Sequence, residues 1–186
     1  TGHPAGTECA QCHRIQGEKW KNSDHDLSMQ TPAASTILGR FDGQPISLDE
    51  LVVTPSRQGQ KWFFDVADMT GSKRFALRYV FGHQPLQQYL VDADNGRLVV
   101  APIAWDVTGQ RWFDPSLHGA KSDSSDGLHW SGLAGTWNHM CSDCHSTNVD
   151  KGYDFESDRY KTTFTQTDVS CQSCHGQGST LAEIST

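Results

Sequence analysis

An α+β fold, with a small antiparallel sheet set between helical and irregular segments, is predicted by three features of this sequence. Apolar residues alternate with polar ones over 62–66 and 74–81, the period of a half-buried strand. Asp94-Asn95-Gly96, between Leu90-Val91 and Leu98-Val99-Val100, has the composition of a tight hairpin turn. The cysteines all lie in clusters outside this stretch, near the two ends of the sequence.

In chain order, residues 1–36 hold the first cysteine cluster, and Trp20–Met29 reads as a short helix. Trp62, Phe64 and Val66 face one way. Phe75, Leu77, Tyr79 and Phe81 do the same, with Arg74, Ala76, Arg78 and Val80 on the opposite face. Met69-Thr70-Gly71-Ser72 supplies a second hairpin turn. Residues 37–105 are therefore expected to be mostly sheet, within a β-rich insert spanning 37–115. Pro115, Gly119 and the polar run from Lys121 to Gly127 make 115–127 a loop. Within 128–186, the spacing of Trp130, Leu133, Trp137 and Cys141 suits a helix, against which Gly132 and Gly135 argue. The whole reads as a single domain.

Hydrophobic residues make up only 35% of the 186, too few for a generous core, yet there are six tryptophans and eight phenylalanines. Such an aromatic complement suits the lining of flat apolar groups. The formal charge of −7, without a basic cluster, argues against nucleic acid as a partner. No apolar run approaches the roughly 20 residues that span a bilayer. Thr1-Gly2-His3-Pro4 shows neither the charged nor the apolar region of a signal peptide, which is read as absent or removed.

The six cysteines fall in three motifs: Cys9-Ala10-Gln11-Cys12-His13, Cys141-Ser142-Asp143-Cys144-His145 and Cys171-Gln172-Ser173-Cys174-His175. Each is C-x-x-C-H, the attachment signature of c-type haem. Two cysteines a helical turn apart form thioethers to the two vinyl groups of one haem. The adjacent histidine then ligates the iron from the proximal side. Zinc also uses C-x-x-C pairs, but a Cys₄ site would leave one pair over and needs no histidine after each. The expected cofactor is therefore three covalent haems c, with His13, His145 and His175 as proximal ligands. With 25 residues between His145 and Cys171, motifs 2 and 3 are the expected neighbours.

Six other histidines are candidates for the distal positions: His3, His25, His83, His118, His129 and His139. His25 and Met29 would share a helical face, and only one can fill an axial position. Histidine gives the lower potential, while packing explains Met29. His139, two residues before Cys141, is too close to reach around its own haem.

These stretches resemble a family of multihaem c-type cytochromes with doubled C-x-x-C-H motifs, whose haem domain is often followed by tetratricopeptide repeats. The resemblance runs through Trp20-x-x-Ser23-Asp24-His25-Asp26-Leu27-Ser28-Met29, Phe81-Gly82-x-x-Pro85-Leu86-Gln87-Gln88-Tyr89-Leu90 and Gly109-Gln110-Arg111-Trp112-Phe113. It continues through His129-Trp130-Ser131-Gly132, Trp137-Asn138-x-Met140-Cys141 and Val169-Ser170-Cys171. The Trp-x-x-Ser-x-His piece is also similar to hydroxylamine-oxidoreductase-like multihaem proteins. The resemblance implies a periplasmic or extracellular electron carrier and supports His25 and His129 as distal ligands. In the family a histidine usually follows the third motif, where Leu181 stands here, and another follows Arg-Trp-Phe, where this chain has Asp114. The third distal ligand is thus expected from His83, His118, His3 or His139, or from a neighbouring subunit, which would join copies into a wire. Each haem adds two propionates, taking the formal charge toward about −13 and favouring redox partners with basic faces. The competing expectation is a reductase whose open haem takes a small oxyanion.

Overall fold

The computed structural model describes residues 6–69, 71–115 and 127–176, with side chains from residue 9 onward. Two short helices open it, α1 (Gly6–Cys12) and α2 (Arg14–Trp20). They pack closely, since a Cβ added at Gly17 would collide with the Ala10 side chain. The strands follow as β1 (Met29–Gln30), β2 (Ile46–Ser47), β3 (Val52–Gln58), β4 (Lys61–Asp68), β5 (Gly71–Phe81) and β6 (Leu86–Asp92). After them come β7 (Leu98–Val100), β8 (Ala104–Asp106) and β9 (Arg111–Phe113). Motif 2 is carried by α3 (Trp137–Met140) and α4 (Ser142–His145). A two-stranded ribbon, β10 (Tyr153–Asp154) and β11 (Arg159–Tyr160), leads on to α5 (Cys171–His175).

The sheet runs β2-β3-β4-β5-β6-β8-β9, with β1 added to β5 and β7 to β6, and every pairing is antiparallel. This is the α+β architecture expected from the alternation. Trp62, Phe64 and Val66 all point into the core, with Phe64 completely buried. The turn between β6 and β7 places Asn95 at φ 61° and Gly96 at φ 71°, the left-handed region that this residue pair tolerates best. A Cβ at Gly96 would also strike the Tyr160 carbonyl, so glycine is doubly required there.

Three expectations need correction. Strict alternation in β5 placed Val80 on the outer face, but it is 1% exposed. The β5–β6 register shifts between Leu77 and Tyr79, and the bulge turns Val80 into the main core while Phe81 enters a second cluster. The helix expected over Trp20–Met29 ends at Trp20. The segment beyond turns instead, with Asn22 at φ 61° donating its N–H to Asp26 Oδ2 at 2.7 Å. The helix expected from Leu128 into motif 2 is broken into turns, a single 3₁₀ turn at Leu133–Gly135, and α3. Gly135 passes so close to the Trp130 carbonyl that no side chain fits. The loop expected over 115–127 falls almost wholly outside the described residues.

The main core gathers Val53, Phe64, Phe75, Val80, Tyr89, Val91 and Trp105 inside the curved sheet. The second cluster is Met29, Phe81, Leu90 and Trp137, with Cys141 and Phe164 packed on its margin. It joins the sheet to motif 2. Trp137 is completely buried, and cutting it to alanine should cost about 3–5 kcal/mol.

Candidate haem-binding site

Each motif lies on or beside a short helical stretch: motif 3 is helical throughout α5, whereas His13 falls just past the end of α1 and Cys141 just before the start of α4. In every motif the first cysteine is half-buried and the second exposed. The residue after the first cysteine turns the other way. Ser142 and Gln172 are buried, with Ser142 Oγ donating to Asn138 O (2.9 Å) and Gln172 Oε1 accepting from Asn148 Nδ2 (2.9 Å). In motif 1 Ala10 packs on Gly17. The protein thus grips each motif by its second residue and presents two thiols and an imidazole together.

Motif 2 is pinned by Asn138. Its Oδ1 accepts from Leu98 N at 2.6 Å, and its Nδ2 donates to Thr162 Oγ1 at 2.8 Å, so the β6–β7 hairpin positions α3. His145 lies against Phe81, ring centroids 4.4 Å apart. Its Nδ1 is buried without a hydrogen-bond partner, which leaves Nε2 as the nitrogen for an axial bond. Burial pushes the imidazole pKa down, favouring the neutral form that binds metal. Cys141 and Phe81 line a cleft of about 400 Å³, together with Leu48, Val100, His129 and Trp130. His129 Nδ1 lies 2.8 Å from Ser131 Oγ. The Ser131 backbone N–H also donates toward Nδ1, at 3.3 Å; in the tautomer where Nδ1–H instead donates to the hydroxyl, Nε2 is free for iron. The cleft thus brings a proximal motif and a distal candidate to one apolar space, and the residues present fit a covalent haem.

Motif 3 is bound to both others. Thr147, just past motif 2, donates from Oγ1 to Asp168 O (2.7 Å) and accepts from Ser170 N (2.9 Å), with Ser173 Oγ 2.9 Å away. Ser170 in turn caps α5, accepting from Gln172 N. On the other side α5 lies beside α1, and burial together with the nearby Cys9 pushes the Cys171 pKa up. Trp20 Nε1 donates to Val169 O at 2.8 Å, and Val169 N donates to His25 O at 3.1 Å. The segment bearing His25 therefore lies beside motif 3, its side chain exposed. The contact between motifs 1 and 3 carried no sequence signal, because a distant pairing leaves no local periodicity.

The remaining candidates are scattered. His83 is half-buried just past β5, and His139 is exposed on α3, away from any described acceptor for its ring. Asp114, where the family has histidine, also lines the cleft. His3, His118 and Leu181 lie outside the described residues. Met29 is 1% exposed and belongs to the second apolar cluster, which accounts for it as packing.

Three sets of paired thiols with an adjacent imidazole, on or beside short helices, define a protein of covalent haem. The family model for cytochrome c554 and c-prime matches residues 8–38 and 117–176, just under half of the chain and all three motifs. A solved structure, that of the outer cell wall cytochrome OcwA, superposes with a TM-score of 0.61 at 17% identity. The match covers 98% of this chain and 33% of that one, so the chain spans a third of its length. No curated protein matches. The family match and the three motifs support a multihaem c-type cytochrome; the chain carries covalent haem c, and its three motifs fit three haems.

Proposed function

We propose that this protein is an electron conduit holding three haems, with the haem on motif 3 between those on motifs 1 and 2. The observation that carries this reading is the double contact of α5, which lies beside α1 on one side while Ser170 and Ser173 meet Thr147 on the other. Bound haem supplies a one-electron ferric/ferrous couple, and the protein fixes its position, ligation and surroundings. His13, His145 and His175 serve as proximal ligands, and His25 and His129 as distal ones. The third distal histidine comes from His83, His118 or His3 of the same chain, or from a neighbouring subunit, in which case ligation drives assembly. The likeness to OcwA, an outer cell wall cytochrome, supports a periplasmic or extracellular location. Among the described residues no helix is long and apolar enough to cross a membrane. The acidic surface favours redox partners with basic docking faces.

Intact mass after acid-acetone extraction should exceed the polypeptide by three haem masses, and a two-haem product would overturn the count. Replacing Cys171 and Cys174 together by Ala should remove one haem and sharply slow electron exchange between the remaining two. Unchanged exchange would overturn the central place of motif 3. The cleft beside Cys141, with the Asp114 carboxylate on its lining, is where the second reading, reduction of a small oxyanion at an open haem, would operate. A wholly low-spin EPR spectrum favours the conduit, and a high-spin component favours the reductase.

A further inference from the structure

We infer that Phe81 tunes the haem on motif 2 by sealing the outer nitrogen of its proximal imidazole from every hydrogen-bond acceptor, which makes this haem the highest-potential site of the three. The inference rests on the reading of motif 2 as a haem site.

His145 Nδ1 is buried and has no partner among the described residues. The Phe81 ring lies over the imidazole at 4.4 Å and 54°. Phe81 is itself held from two sides. Its backbone pairs with Met29 across β1 and β5, and its ring sits in the cluster with Leu90 and Trp137. Ser28 Oγ donates to His145 O at 3.3 Å, and Gly82 N to Ser28 O at 2.8 Å, so the strand bearing the phenyl ring and the turn bearing the imidazole are tied together. His13 and His175 are both more exposed than His145.

An axial imidazole that donates its outer N–H to an acceptor gains electron density and binds ferric iron more strongly. Where that bond is denied, the ferric state loses the extra stabilisation and the equilibrium moves toward ferrous, a higher potential. The apolar lining of the cleft, Leu48, Leu51, Val100 and Pro102 among it, acts in the same direction by penalising the ferric charge. Asp49, Glu50 and Asp114 on the same lining oppose it. All three are solvent-accessible, so water and salt screen them. The buried, desolvated effect prevails. Phe81 is a positioning residue in this account, acting on the iron only through His145.

Spectroelectrochemical titration of the holoprotein tests this. The Cys141→Ala/Cys144→Ala double variant should remove the highest-potential component. Phe81→Gln offers an amide oxygen to Nδ1 and should shift one couple about tenfold toward the ferric state, ~59 mV for one electron. Phe81→Leu keeps the seal apolar and should leave all three potentials in place. Unchanged potentials in Phe81→Gln, or equal shifts in both variants, would overturn the inference. In the reduced, diamagnetic protein the His145 Nδ1 proton should exchange slowly with solvent, and rapid exchange would overturn it independently of any variant. If the peptide bearing Cys141 and Cys144 carries no haem, the reading beneath falls and this inference with it. If the haem is present and only the potentials disagree, the inference alone fails.

Discussion

Replacing Thr147 by valine isolates the link between motifs 2 and 3, because it removes one hydroxyl and leaves the shape nearly unchanged. Thr147 is completely buried, and its Oγ1 has one proton to give. The Asp168 carbonyl, at 2.7 Å, takes it, while the Ser170 N–H at 2.9 Å and the Ser173 hydroxyl at 2.9 Å approach the oxygen as donors. Valine strands the Ser170 N–H in a buried position, at a cost of about 1–3 kcal/mol. Asp168 is half-buried and its carbonyl recovers some hydration, adding roughly 0.5–1 kcal/mol. Ser173 is exposed and contributes little. The expected loss is therefore roughly 1.5–4 kcal/mol, a sizeable part of the 5–15 kcal/mol typical of a folded domain. Denaturant unfolding of the holoprotein measures it, and amide exchange across 168–175 should quicken before the sheet responds. A loss below about 0.5 kcal/mol, with exchange at α5 unchanged, would refute the view that this hydroxyl joins the two motifs.

His129→Ala and His25→Ala should each turn one haem from low to high spin by emptying an axial position. If both kept the parent EPR spectrum, neither would be a ligand. Ser131→Ala should retain a low-spin haem but shift its potential, because it removes the 2.8 Å partner of His129 Nδ1, and redox titration reads this directly. Burial, reinforced by the neighbouring Asp26 carboxylate, pushes Asp168 up to about 6 from 3.8. The folded state then holds this proton more tightly than the unfolded chain. Its contribution is full below about pH 4 and is lost as pH rises through about 6. Asp168→Asn should flatten that part of the profile of thermal midpoint against pH. The effect is modest because the group is half-exposed, and an identical profile in the variant would assign the dependence elsewhere.

The strands at Trp62–Val66 and the turn at Asn95-Gly96 were legible in the sequence because period-two burial and left-handed backbone requirements are local. The cysteine motifs were legible because thioether chemistry fixes their spacing. Val80 was misplaced for the converse reason. A bulge shifts the register without altering composition, and only the partner strand reveals it. The segment after Trp20 has helical spacing of His25 and Met29, yet the pairing of Met29 with Phe81 draws it into the sheet. Asn138 and Gln172 carried no signal of their own role, since a buried amide is recognised only by the distant groups it satisfies.

The bond from Trp20 to Val169 joins residues 149 positions apart. Between them lies the entire sheet, so the first haem segment cannot dock until the last has been made. Closing so long a loop is slow, and it comes after the hairpins, whose contacts are local. During that interval Cys9 and Cys12 stay accessible, and the enzyme that forms the thioethers can reach them without unfolding anything. The order this topology allows is attachment first and closure second, with the bond between Trp20 and Val169 made last.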